Sequence, residues 1–217
     1  MSGSLGEIAT LYPDKTDQVL IIHELIAFDA MPFGYPVFLD IGGVRVLVVG
    51  GGRVALRKAT ALAQAGAVIT VVAPQVSAGF EAIGAQIERR QYRNGDVAGQ
   101  QLVMIATNDP TVNAQVAGDA RAAQVWVNSA DDPDNCSFIL PAVARRGLVT
   151  IAVSTGGSSP ALASRLRTDI AERELTSDVE SAAVELARQR AEIHAAGAST
   201  EDIDWSSRVD TALNPPH

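Results

Sequence analysis

Short β-branched runs alternate with helical patterns of apolar residues from Val37 onward. The run Val44–Val49 predicts a buried strand, and Arg53–Ala65 predicts a helix that Gly66 ends. Val68–Ala73 predicts a second buried strand. Together these segments form a unit of about 30 residues with the order strand, glycine turn, helix, strand, which is typical of a βαβ crossover.

The same alternation continues along the chain. We expect strands over Gln86–Tyr92, Gln101–Thr107 and Val125–Asn128, and a helix over Thr111–Ala123. This order predicts an α/β fold with a Rossmann-type doubly wound parallel sheet. Beyond Pro133 we expect strands at Phe138–Leu140 and Leu148–Val153, a helix that starts at Ser159-Pro160, and a mostly helical C-terminal region. Trp126 and Phe138 are expected in the core.

Composition excludes several classes of protein. The 217 residues are 47% hydrophobic and 19% charged, which indicates a globular protein. No apolar run approaches the roughly 20 residues of a membrane span, and the N-terminus does not resemble a secretory signal. The single cysteine, Cys136, fits a reducing compartment and is expected to be a small buried hydrophobe. These observations predict a cytoplasmic protein.

The net charge of −8 is concentrated at the two ends of the chain. The segment between Phe138 and Ile170 contains four arginines and one aspartate, Asp169. This density is too low for a nucleic-acid surface, so we expect no nucleic-acid partner. It suits a small polyanion, or arginines that are simply solvated.

Histidine is absent between His23 and His194. Acid–base chemistry in that stretch must therefore use Asp, Glu, Lys, Tyr or hydroxyl groups, and we expect no metal centre.

The glycine turn after the first strand is the clearest chemical motif. Gly50, Gly51 and Gly52 precede Arg53 and Val54, and Gly50-x-Gly52-x-x-Ala55 is a variant of the dinucleotide fingerprint. Glycines allow a pyrophosphate to approach the N–H groups at the start of a helix. The alternative is a purely structural turn.

One part of the fingerprint is missing. The second strand is followed by Pro74 and Gln75, where the fingerprint has an acid that holds the adenosine ribose. Gln75 can still bond a ribose hydroxyl. The motif by itself leaves the choice between NAD and NADP open.

Five segments in one order resemble the precorrin-2 dehydrogenase family, which also forms the N-terminal module of siroheme synthases. They are VLVVGGGRVALRK ending at Lys58, ATNDP ending at Pro110, VNSADDP ending at Pro133, SFILP ending at Pro141, and STGGSSPAL ending at Leu162. The resemblance covers about Pro36 to Arg167 and does not include the first 35 residues.

The resemblance implies NAD-dependent oxidation of precorrin-2 to sirohydrochlorin, a step toward siroheme, by a homodimer. Some relatives also insert ferrous iron, which this sequence leaves open. Helical spacing of apolar residues predicts an amphipathic helix at Asp17–Ala30 within an N-terminal extension (1–35). We expect a Rossmann domain (36–137), a small α+β dimerisation domain (138–170) and a helical C-terminal region (171–217) to follow.

Site residues follow from the motifs and the resemblance together. The resemblance implies that Asp131 is the acid–base residue. The alternative is a turn residue, because the sequence Asp131-Asp132-Pro133 is also typical of a turn. Thr107 and Asn108 are expected beside the nicotinamide of NAD. The predicted substrate-binding residues are Asn128, Ser154, Thr155, Gly156, Arg145 and Arg146; Asn128 has the alternative role of capping a strand end, and the loop at Ser154 that of starting a helix.

Two other functions remain open at this stage. The glycine turn suits an NAD-binding sensor or regulatory subunit without catalysis equally well. The other hypothesis is a dehydrogenase that acts on another substrate.

Overall fold

A computed structural model describes residues 33–130, 132–201 and 203–214. The chain divides into two compact units, Met1–Pro36 and Val37–His217. The helix predicted at Asp17–Ala30 lies outside the described residues. The helices and strands that follow all belong to the second unit.

The first part of this unit, residues 44–138, is here named the parallel-sheet region. In chain order its elements are β1 (Arg45–Val49), α1 (Arg53–Gln64), β2 (Val68–Val72), α2 (Gly79–Ala82), β3 (Gln86–Glu88), β4 (Leu102–Ile105), α3 (Pro110–Ala122), β5 (Trp126–Ser129) and a 3-10 turn at Pro133–Asn135. The strands form a parallel sheet in the order β3-β2-β1-β4-β5. The predicted Rossmann-type α/β fold is confirmed.

Strand register brings three strand ends to one level. Val49, the last residue of β1, lies beside Ile105 of β4, and Ile105 lies beside Ser129 of β5. The chain runs from β1 to β2 on one side and reaches β4 on the other, so the topological switch point lies between β1 and β4. Ligands of open parallel sheets bind at this edge.

Both faces of the sheet are buried, which explains the continuous apolar runs of β1 and β4. Leu47, Val103 and Val127 pack toward α3, whereas Val48 and Met104 pack toward α1 and α2. All five side chains are at most 1% exposed. The prediction for Trp126 was wrong: it is 49% exposed at the start of edge strand β5 and packs against Phe138 at a ring distance of 6.2 Å.

Residues 142–213 form the second part, here named the hairpin region. It contains an antiparallel pair, β6 (Ala142–Arg146) and β7 (Val149–Val153), followed by α4 (Pro160–Glu174), α5 (Ser177–Ala195) and α6 (Ser206–Leu213). Ser159 caps α4 as predicted, since its Oγ accepts from Leu162 N at 3.3 Å. Thr176 caps α5 in the same way.

The strand predicted at Phe138–Leu140 is wrong. The partner of β7 is Ala142–Arg146 instead. The carbonyl of Phe138 accepts a hydrogen bond from the Asn128 side chain, so it is occupied outside any ladder.

Candidate functional site

The glycine turn between β1 and α1 has a backbone that only glycine permits. Gly50 has φ +120°, and a Cβ at this position would lie 2.3 Å from the Ala106 carbonyl oxygen. A Cβ on Gly51 would lie 2.0 Å from the Gln75 carbonyl oxygen. The turn is therefore pressed between the loops that follow β4 and β2.

Gly52 differs from its two neighbours because a Cβ there would meet no atom of the described residues within 4 Å. It is the N-cap residue of α1, which no side chain in the described part of the chain caps, and no acidic residue lies in the first turn. The first backbone N–H groups of α1, at Arg53 and Val54, therefore have no acceptor among these residues and lie at the positive end of the helix dipole. This arrangement fits the pyrophosphate of a dinucleotide.

The loop after β2 supports the turn. The N–H and the hydroxyl of Ser77 both donate to the Gly51 carbonyl at 2.9 Å. Pro74 and Gln75 are exposed beside it, at the strand end where an adenosine ribose binds in this fold. Sequence reasoning missed Ser77, because no local pattern marks a residue whose partner lies 26 positions away.

The loop after β4 carries Thr107 and Asn108. The Thr107 hydroxyl donates to Asn113 Oδ1 at 2.6 Å and accepts from Asp109 N at 3.1 Å, so Thr107 fixes the entry to α3. Asn108 is exposed at the edge of the sheet. The side-chain partners of Thr107 all lie within its own loop and α3.

At the end of β5, Asn128 is buried, with 4% exposure. Its Oδ1 accepts from Lys58 Nζ at 3.0 Å, and its Nδ2 donates to the Phe138 carbonyl at 3.0 Å. Both ends of the amide are thus used within the protein. This geometry favours the capping role of Asn128, and direct contact with substrate stays a prediction.

Asp131 lies outside the described residues. Its neighbour Ala130 donates from its N–H to the Ile105 carbonyl at 2.9 Å, which extends the ladder by one residue beyond β5. On the other side, Asp132 Oδ2 accepts from Asn135 Nδ2 at 2.7 Å. Ala130 therefore lies at the same edge of the sheet as the glycine turn.

Cys136 lies in the loop that follows. Its Sγ accepts from Ser129 N at 3.1 Å and lies 3.3 Å from the Asp132 carbonyl oxygen, to which the thiol donates. Burial raises the pKa of the Cys136 thiol. The expected hydrophobic residue is therefore half-buried and hydrogen-bonded, and it ties the loop to β5.

The remaining predicted residues belong to the hairpin region. Ser154 Oγ accepts from Gly156 N at 3.1 Å, and the Thr155 hydroxyl both donates to the Ser159 carbonyl and accepts from Ser159 N, each at 3.0 Å. These hydroxyls close the turn before α4. The hydrogen bonds of these side chains reach none of the strands of the parallel sheet among the described residues.

The two predicted arginines lie in a groove of about 480 Å³ between β6 and α4. Arg146 donates to Glu180 Oε2 at 2.9 Å and to the Leu175 carbonyl at 3.1 Å, so it joins β6 to the helices. The side chain of Arg145 has no hydrogen bond or ion pair within the described part of the chain. Arg167, which sequence analysis did not select, lines the same groove, and its buried Nε has no partner there.

Within residues 33–130, 132–201 and 203–214, no group of three or more His, Cys, Asp and Glu side chains could hold a metal ion. No helix in these ranges is long and apolar enough to cross a membrane.

Comparison with known proteins finds a matching family model for each of the two regions. A family model described as "Putative NAD(P)-binding" matches residues 37–142, and one described as "Sirohaem biosynthesis protein central" matches residues 146–173. The siroheme synthase of Pseudomonas putida is 48% identical over 136 residues, which are 61% of this chain and 29% of that protein. The siroheme synthase of Azotobacter vinelandii is 46% identical over 142 residues, or 62% of this chain and 30% of that protein.

Among solved structures, the precorrin-2 dehydrogenase SirC matches with a TM-score of 0.65 and 33% sequence identity. The match covers 82% of this chain and 87% of the SirC chain. This chain therefore spans under a third of the siroheme synthases and nearly all of SirC.

Proposed function

The chain belongs to the precorrin-2 dehydrogenase family, and we propose that it oxidises precorrin-2 to sirohydrochlorin in siroheme biosynthesis, with NAD as the hydride acceptor. The observation that carries this proposal is the uncapped, unobstructed start of α1 at the switch point of the sheet. It is supported by the similarity to nearly the full length of SirC.

The cofactor would lie across the carboxyl ends of the parallel strands. Gly51 to Val54 would bind the pyrophosphate through backbone N–H groups, and Gly50, whose N–H donates to the Val72 carbonyl at 3.1 Å, would shape the turn. Pro74 and Gln75 would border the adenosine ribose, and Thr107 and Asn108 the nicotinamide half. When bound, NAD supplies the acceptor for the hydride. No carboxylate follows β2 to repel a 2′-phosphate, so discrimination against NADP would depend on other contacts.

Asp131 is proposed as the base. The oxidation removes a hydride and a proton from the macrocycle, and the proton needs an acceptor. No histidine lies between Glu24 and Ile193, so a carboxylate is the natural base in this region. Asp131 follows Ala130, whose backbone is fixed at the sheet edge beside the cofactor turn. The competing interpretation is a turn residue without a chemical role.

The substrate carries several carboxylates, and we assign their binding to the hairpin region. Arg145 is the better candidate for direct contact, because the guanidinium of Arg146 is already bonded to Glu180 and to the Leu175 carbonyl. Gly156 N and the hydroxyls of Ser154 and Thr155 are proposed to bind carboxylate oxygens at the turn before α4.

We also propose that two copies of the chain associate through the hairpin region. Leu148 is 65% exposed, Leu162 50% and Leu166 40%, so this region presents apolar side chains that a second copy would cover. A cytoplasmic location stays a prediction.

The experiment is an anaerobic assay with purified protein, precorrin-2 and NAD, in which absorbance follows NADH and sirohydrochlorin together. Equal amounts of both products are expected. Ferrous iron added afterwards tests metal insertion. NAD binding without oxidation would instead support the sensor function.

The base is tested with Asp131→Ala, which should bind NAD normally and lose turnover by about 10²- to 10⁴-fold, the usual contribution of a general base. Asp134→Asn is the matched control, since Asp134 is an exposed carboxylate on the same loop. Full turnover by Asp131→Ala would leave Asp131 as a turn residue.

A further inference from the structure

A charged hydrogen bond joins α1, the helix that follows the glycine turn, to β5. Lys58 lies in the second turn of α1, and its ammonium donates to Asn128 Oδ1 at 3.0 Å. Lys58 is half-buried and Asn128 is 4% exposed. The two residues are 70 positions apart in the chain, so this contact connects two elements that the backbone does not connect directly.

From Asn128 the connection continues into the loop 132–138. Its Nδ2 donates to the Phe138 carbonyl at 3.0 Å and to Cys136 Sγ at 3.7 Å. Cys136 Sγ in turn contacts Ser129 N and the Asp132 carbonyl. Both ends of the loop are thus held against the end of β5 by one small set of polar groups.

The charge of Lys58 gives this connection its strength. Hydrogen bonds from an ionised donor are stronger than neutral ones, and a buried acceptor that loses its donor is destabilised. The ammonium also acts electrostatically on the loop: burial raises the pKa of the Cys136 thiol, and Lys58 opposes that increase. Removal of Lys58 would therefore take this donor away from Asn128 Oδ1 and would also change the electrostatic potential at the loop.

We propose that Lys58 is a positioning residue of the dehydrogenase site, which acts through Asn128 to hold the loop 132–138 in the arrangement that turnover requires. This inference rests on the proposed function, because the loop follows the proposed base. It predicts that the loss of Lys58 impairs the chemical step and leaves the affinity for NAD unchanged.

The kinetic test compares Lys58→Met, Lys58→Arg and Arg57→Met. Arg57 is the matched control, because it is an exposed cation one position away on α1, without a hydrogen bond or ion pair to another described residue. Lys58→Met should lower kcat by about 10- to 100-fold, the usual range for loss of a charged hydrogen bond. NAD Kd should not change, Lys58→Arg should recover most of the lost kcat, and Arg57→Met should match wild type.

The pH dependence of kcat adds a second readout. Lys58 acts electrostatically on Cys136 of this loop, and a cation favours the ionised form of a carboxylate. The pKa of the acidic limb is therefore expected to move upward in Lys58→Met and to return in Lys58→Arg. An unchanged kcat in Lys58→Met would overturn the proposal. A higher NAD Kd with normal kcat would also overturn it, since Lys58 would then be a cofactor contact.

A third measurement does not depend on turnover. Cys136 is the only cysteine of the chain, so alkylation of the protein by iodoacetamide reports on this loop alone. The rate constant of the thiolate, fitted to rates measured between pH 7 and pH 9 where Lys58 keeps its charge, should rise about 10-fold in Lys58→Met, which corresponds to one lost hydrogen bond. Arg57→Met should alkylate like wild type.

Thiol alkylation separates the failure of this inference from the failure of the proposed function. If wild-type protein forms no NADH from precorrin-2, the proposed function fails, and faster alkylation of Lys58→Met would still support Lys58 as the residue that holds the loop. Equal alkylation rates in Lys58→Met and wild type would overturn that role.

Discussion

The parallel-sheet region and the hairpin region differ in how completely their apolar side chains are buried. In the parallel-sheet region the strands are covered on both faces, and side chains such as Val103 and Met104 are fully buried. In the hairpin region the buried apolar residues within the described ranges are Ala163, Leu175 and Ala182, while Leu148, Leu162 and Leu166 are exposed. The first region completes its own core, and the second has an apolar surface suited to a second copy of the chain.

The start of α1 differs from the capped helix starts of both regions. Side chains of Asp109, Ser159 and Thr176 cap α3, α4 and α5, whereas α1 begins at Gly52 without a side-chain cap among the described residues. Capping satisfies orphan N–H groups at the cost of blocking them. The first N–H groups of α1 thus stay open where an anion is proposed to bind, and those of the capped helices are closed for stability.

The sharpest test of this difference is Gly52→Asp. Aspartate is a good N-cap residue and the backbone at Gly52 is extended (φ −84°), so thermal stability should be maintained or slightly increased. NAD affinity should fall by roughly 100-fold or more, because like charges placed together cost several kcal/mol. Calorimetric titration and thermal unfolding measure the two effects. Ser159→Asp is the control, and it should bind NAD normally; tight NAD binding by Gly52→Asp would place the pyrophosphate elsewhere.

Core truncation compares the packing of the two regions. Met104→Ala should reduce the free energy of unfolding by about 2–5 kcal/mol, because a fully buried side chain is replaced by a cavity. Leu166→Ala should cost less than about 1 kcal/mol within one chain, since Leu166 is 40% exposed, and should weaken self-association instead. Denaturant titration at several protein concentrations distinguishes these effects. Equal costs at high dilution would contradict the contrast.

Loss of the side-chain cap of α4 is expected to have a smaller effect on stability. Ser159→Ala removes the hydrogen bond to Leu162 N and should cost about 1 kcal/mol of stability. NAD affinity should stay at the wild-type value, because this cap lies in the hairpin region. Chemical denaturation and NAD titration of the same preparation provide the measurement. A cost near zero would mean that Pro160 alone fixes the start of the helix.

The smallest expected effects concern two carboxylates with lowered pKa. Burial alone would raise the pKa of Asp96, but hydrogen bonds from the Arg90 side chain and Arg93 N outweigh it and lower that pKa. In the hairpin region, hydrogen bonds from Arg188 and Gln189 lower the pKa of exposed Glu185 to about 2. Both contributions to stability are complete above the unfolded pKa of about 4 and are lost as pH falls through the folded pKa.

Salt separates the two carboxylates. The ion pair of Asp96 is partly buried, with 13% of its side chain exposed, and should persist at high salt, whereas the exposed pair of Glu185 should be screened. The melting temperatures of Asp96→Asn and Glu185→Gln between pH 7 and pH 2, with and without added salt, measure this. Identical salt dependence of the two variants would refute the distinction.

Much of the parallel-sheet region was predictable, because buried parallel strands are continuous β-branched runs and each turn has a local signal. β1 and α1 start or end within one residue of their predicted bounds. β6 was missed since Ala142–Arg146 contains two arginines and has no regular apolar pattern. Phe138–Leu140 was assigned wrongly because its apolar run matches a strand, whereas its hydrogen bond goes to the distant Asn128.

In the candidate site, too, local features were predictable and contacts between distant residues were not. The glycine turn was predictable because consecutive glycines between a buried strand and a helix are a local sequence signal. The bond between Lys58 and Asn128 was not, because periodicity contains no information on side chains 70 positions apart. The bonds that occupy Arg146 likewise depend on Glu180, which lies 34 positions away.

The two-residue connection between β6 and β7 also has a consequence for the order of folding. Arg146 pairs with Val149 across Gly147 and Leu148, and Gly147 has φ +52°. Hairpins of this kind close in about 1–10 μs, whereas β1 must pair with β4 across a separation of 56 residues, as for Val46 and Leu102. We therefore expect the hairpin to form while the parallel sheet is still incomplete, so that the rate-limiting step of folding lies in the assembly of the nucleotide-binding half.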